Sequence, residues 1–107
     1  MTAQAIREIV EKQAAGHWDE PHAHGVNLRR CLVDPKLVPL REPLPNHSWG
    51  ALEAWLVLIQ DPKTNRGYRI VADLDGSRFG LATDAKDKGE MIFLGWHGNL
   101  ITTLEAM

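Results

Sequence analysis

The chain has 107 residues, of which 44% are hydrophobic and 24% charged, with a formal net charge of −2. That length supports one hydrophobic core and is short for two, so residues 1–107 are expected to form a single globular domain. The charge balance implies no basic face for nucleic acid, and no apolar run approaches the roughly 18 residues that span a bilayer. Cys31 is the one cysteine, so an internal disulfide is excluded and a reducing cytoplasm is the simplest home. The N-terminus lacks the basic-then-apolar pattern of a signal peptide.

Residues 1–16 read as a helix. Ile6, Ile9, Val10 and Ala14 fall at i, i+3, i+4 and i+8, which makes one apolar stripe. Arg7 and Glu11, and Glu8 and Lys12, are opposite charges four apart on the other side. Thr2 can cap this helix, and Gly16 is a natural stop. Residues 17–24 form a histidine-rich loop, broken by Pro21. Residues 25–33 read as a strand, with Val26, Leu28, Arg30 and Leu32 on one face.

Residues 34–50 hold Pro35, Pro39, Pro43 and Pro45, a density that excludes helix and central strand. They read as a crossing, in which Lys36–Leu40 could run as an edge strand. Residues 51–96 read as antiparallel strands. Leu52–Ile59 is apolar on both faces, as a strand covered on both sides would be. Leu52, Ala54, Leu56 and Leu58 are expected on one face, and Trp55, Val57 and Ile59 on the other. Asp75-Gly76 predicts a type I′ hairpin between Tyr68–Leu74 and Arg78–Thr83. Small Gly80 and Ala82 imply a close neighbour, such as a helix. Asp84–Gly89 reads as a charged loop and Met91–Trp96 as the last strand. Residues 99–107 read as a short helix capped by Asn99. The expected class is α+β: an N-terminal helix on a mainly antiparallel sheet of about five strands, with a short C-terminal helix.

Few residues carry recognisable chemistry. His17, His22 and His24 lie in an H-x4-H-x-H spacing. Imidazoles on one side of an extended segment can hold zinc or another divalent transition metal. The competing reading is that they are ordinary polar loop residues. The cupin metal pattern would place a glutamate three or four residues beyond His24, where Asn27 and Leu28 stand. No G-x-S-x-G elbow or phosphate loop occurs. Cys31 within an apolar segment reads as a small buried hydrophobe, although Arg29 and Arg30 beside it could activate a thiolate. No catalytic residue is assigned. Trp55 and Trp96 are expected in the core. Trp18 and Trp49 lie in polar loops beside His17 and His47; tryptophan in such a place serves either as a lid over the sheet or as a binding anchor.

The sequence therefore favours a small, non-enzymatic cytoplasmic domain that binds a protein partner or itself through Trp18, Trp49 and His47. No cofactor, nucleic acid or membrane is expected. The alternative is a metal-dependent enzyme or small-ligand binder built on His17, His22 and His24.

Overall fold

The five strands follow one another as a chain of hairpins, because the segments between them are too short for a crossover. The computed structural model describes residues 1–84 and 90–107; the charged loop expected after Asp84 lies largely outside them. Strands β1 (Leu32–Pro43), β2 (Trp49–Asp61), β3 (Arg66–Ala72), β4 (Phe79–Asp84) and β5 (Met91–Gly98) pair antiparallel in sequence order. With an odd number of strands the first and last run the same way. Closure is accordingly parallel, through the pair Arg41 and Ile92.

Three helices, α1 (Ala3–Ala14), α2 (Leu28–Cys31) and α3 (Leu100–Glu105), cover part of the barrel's outer wall. Ile6, Val10 and Ala14 of α1 are buried with Leu100 and Leu104 of α3 against Trp55, Val57, Ile70, Ala72 and Phe79. A second apolar cluster draws on all five strands: Val38 and Leu40, Ala54 and Leu56, Val71, Ala82 and Phe93, with Ile59. This is the barrel interior. The α+β class, the N-terminal helix, the mainly antiparallel sheet of five strands and the short C-terminal helix are as the sequence predicted. The Thr2 and Asn99 caps are present as well, accepting from Ala5 N at 3.1 Å and Thr102 N at 2.8 Å.

Two segments differ from their prediction. Residues 25–33 are not a strand: a 3₁₀ turn at Ala23–Gly25 leads into α2, and β1 begins only at Leu32. Asn27 decides this locally, since its Oδ1 accepts from Arg30 N at 3.2 Å and starts a helical turn. That turn buries Leu28 and Cys31, an i, i+3 pair.

The proline-rich segment is not a crossing either: the strand expected at Lys36–Leu40 is present and extends into the long strand β1, paired with β2 from Lys36 to Pro43. Pro39 stands opposite Glu53, and it cannot donate. Position 39 must therefore be a non-hydrogen-bonded pair, whose backbone groups point away from β2. By alternation the same holds for Leu37, Arg41 and Pro43. Pro39 and Pro43 thus remove donors only from the side of β1 that faces away from its partner, and the β1–β2 ladder is regular from Lys36 to Pro43, while Pro35 falls in an irregularity between Leu32 and Lys36.

Three finer expectations also change. A bulge between Leu56 and Leu58 reverses the alternation, so Leu58 joins the helix-covered face and Ile59 the interior. The β3–β4 turn is not type I′, because Gly76 has φ 73° but Asp75 is not left-handed. Gly76 N donates to Asp73 O at 2.8 Å, closing a turn whose left-handed Gly follows it. A Cβ at Gly76 would meet Ile9 Cδ1 at 2.6 Å, so a side chain there must push the Ile9 tip of α1 aside. Finally, Gly80 is small because of β5, not a helix: a Cβ there would lie 2.6 Å from Gly95 O and 2.8 Å from Phe93 Cε1.

Candidate functional site

The helices leave one wall of the barrel bare, the outer face of β1 with the adjoining parts of β2 and β5. Alternation along β1 puts Leu37, Pro39, Arg41 and Pro43 on this wall, opposite Trp55, Glu53, Ala51 and Trp49 of β2. Among the described residues, four of the six exposed large hydrophobic side chains stand on or beside it: Leu37 (46%), Leu44 (41%), Trp49 (49%) and Leu94 (48%). Leu44 packs over Gly50, where a Cβ would meet its Cδ1 at 3.0 Å. The Arg41 guanidinium lies 4.4 Å from the Trp49 ring centroid and 3.3 Å from Glu90 Oε2. Pro43 and Leu94 are each two residues beyond the Arg41–Ile92 bridge.

A cleft of about 540 Å³ opens where β1 and β5 part. Its apolar lining includes Val38, Leu40, Leu56, Ile59 and Met91, so it reaches from the strand edge into the barrel interior. Lys36, Arg41 and Glu90 stand at the strand ends of this lining, and Arg69 lines it from β3. Arg69 shares Val71's inward face and is only 3% exposed. Its guanidinium pairs with Asp84 and donates to Gly67 O at 2.7 Å and to Asn65 Oδ1 at 3.1 Å. Asn65 is left-handed (φ 57°), which turns its side chain and carbonyl toward that guanidinium. Arg69 Nε has no partner among the described residues, and an unmade buried donor carries a desolvation penalty of about 1–3 kcal/mol.

The residues singled out in the sequence are dispersed. His17 Nδ1 is 2.9 Å from Glu20 Oε2, and His22 Nε2 is 3.4 Å from His17 O. His24 instead lies tilted against Tyr68 of β3, with ring centroids 5.6 Å apart. A metal held by all three would require these side chains to leave their present partners. Among the described residues no three His, Cys, Asp or Glu side chains are grouped as a metal site. Trp18 is half-buried against the helix-side core, with Arg29 at 5.4 Å from its ring. Trp49 is the exposed one, and His47 lies beside it with φ 59° at the rim of the same wall. Cys31 is fully buried and its thiol points to Gln60 O at 3.4 Å. Trp55 is in the core, its indole donating to Leu74 O at 3.3 Å, while Trp96 is partly buried against Phe93.

Sequence reading missed the cleft and Arg69. Arg69 stands next to Ile70 and Val71 in an apolar strand, and that inward charge on the alternation was the available signal. No described helix is long and apolar enough to cross a membrane. The chain matches no protein-family model, no curated protein and no solved structure.

Proposed function

We propose that the chain is a non-enzymatic binding module that associates with a second copy of itself through the bare wall. The observation that carries this is the concentration of half-exposed Leu37, Leu44, Trp49 and Leu94 on the one wall without a helix over it. Tryptophan at such a place is the residue type that dominates binding energy at protein interfaces. The same wall carries exposed Arg41 and Glu53, one of each sign. A two-fold copy sets a patch against itself, so each cation can meet the other copy's acid. Association by strand addition is disfavoured, because the prolines of β1 leave few donors on its outer edge.

Sedimentation velocity over a concentration series tests this reading. The wild-type chain is expected to reach a dimer, and Trp49→Glu or Leu94→Glu to remain monomeric with an unchanged circular dichroism spectrum. A wild-type chain that stays monomeric at millimolar concentration contradicts it, and so does a Trp49→Glu variant that dimerises as well as the parent.

A further inference from the structure

We infer that the cleft between β1 and β5 is a binding site for a small monocarboxylate with an apolar body, its carboxylate directed to Arg69 and its chain along Leu40, Leu56 and Ile59. The mouth of this cleft shares Leu37, Pro39, Arg41 and Ala51 with the wall, whereas its depth, Leu40, Leu56, Ile59 and Arg69, lies inside the barrel.

Three observations point to this class of ligand. The volume, about 540 Å³, is that of small-molecule sites, which are mostly apolar with a few placed polar groups. Among the described residues the charge is unbalanced toward cation. Lys36, Arg41 and Arg69 line the cleft against Glu90, and adding Asp84, which pairs with Arg69, still leaves three cations to two carboxylates. One anionic group from a ligand balances that set. Last, Arg69 is nine-tenths buried and retains an unpartnered Nε among the described residues. A guanidinium has five donors in a fixed fork and suits a carboxylate. Asp84, Gly67 O and Asn65 take up its Nη1 and Nη2, so Nε is the donor left for a ligand oxygen.

The edge of β1 argues against a peptide as occupant. Pro35, Pro39 and Pro43 carry no N–H, and Arg41 is already bridged to β5. An added strand would find Leu37 N–H as the one remaining donor between them, too few for a ladder. A ligand that needs no backbone ladder is the better fit.

The test uses decanoate as probe, with 1-decanol as its uncharged equivalent. Titrations are followed by ¹⁵N–¹H spectra of the full chain carrying Trp49→Glu, so that self-association does not enter. Decanoate is expected to bind saturably and to shift the signals of Leu40, Ile59 and Arg69. 1-Decanol is expected to bind at least about tenfold more weakly, the difference that a lost charge-assisted hydrogen bond makes. Arg69→Met should abolish the preference for the acid. Because that variant risks misfolding, the surface variant Lys36→Glu/Arg41→Glu is measured beside it and should weaken decanoate about tenfold while leaving the spectrum native. Absence of saturable binding overturns the inference. So does equal affinity for the acid and the alcohol, or shifts confined to residues outside the cleft. If the self-association proposal fails and decanoate still binds, the site stands alone.

Discussion

Asp75 and Gly76 show how much a single turn depends on side-chain chemistry. Asp75 Oδ1 accepts from Ser77 N at 2.9 Å, and the Ser77 hydroxyl and amide together hold the carboxylate below its ordinary pKa. Asp61 is lowered in the same way, by Thr64. A carboxylate with a depressed folded-state pKa adds stability above its unfolded pKa, and that stability is lost as pH falls through the folded value. Urea unfolding at falling pH, from neutrality to below about 3.9, should therefore show a loss that Asp75→Asn makes smaller. Gly76 is held by two constraints at once, its φ of 73° and the Ile9 Cδ1 that a Cβ would meet at 2.6 Å. Gly76→Ala is expected to cost about 1–2 kcal/mol from the left-handed backbone, plus the displacement of the Ile9 side chain. Gly16→Ala, with the same sign of φ and open space around it, should cost only the first of these. Equal losses in the two variants would show that α1 does not press on the turn.

Strand β1 carries the most informative contrast at the scale of the element. Position 39 directs its backbone away from β2, so Pro39→Ala restores a donor that faces the cleft and should change stability by less than about 0.5 kcal/mol. Leu40 shares the opposite alternation and bonds to β2 opposite Leu52. Leu40→Pro removes a ladder bond as well as a buried side chain, and should cost about 3 kcal/mol or more. Thermal or urea denaturation of the two variants distinguishes a ladder in this register from one shifted by a residue. The helix α1 was legible because cap, stripe and stop agree, and α3 from its Asn99 cap. So were β2 to β5, as apolar runs bounded by turns. Strand β1 was legible only over Lys36–Leu40, since its prolines mask the rest of its length. The strand expected at residues 25–33 misled for the opposite reason: Val26, Leu28 and Leu32 alternate, yet the Asn27 side chain caps a helical turn there. The bulge at Val57 left no mark in the sequence, and it decides which of Leu58 and Ile59 enters the barrel.

Across the whole molecule, the helices and the β1–β5 seam divide the barrel into a covered side and a bare one. Arg69 fastens the end of this arrangement, joining β3 to the β2–β3 turn and to Asp84 of β4. Arg69→Met should lower stability by about 2–4 kcal/mol, somewhat less than a fully buried pair would lose because Asp84 keeps a third of its side chain exposed. The candidate site was only half visible beforehand. Trp49 stood out as tryptophan in a polar stretch, whereas the wall around it depends on β1 being a strand, and the cleft on the barrel's closure at one pair. The most direct measurement is the ¹⁵N–¹H spectrum of the wild-type chain recorded from micromolar to millimolar concentration. The bare wall as self-association surface predicts concentration-dependent shifts of the Trp49 indole signal and the Leu37 and Leu94 amides, with α1 unmoved. A spectrum that does not change with concentration, or one whose changes gather on α1 and α3, would contradict it.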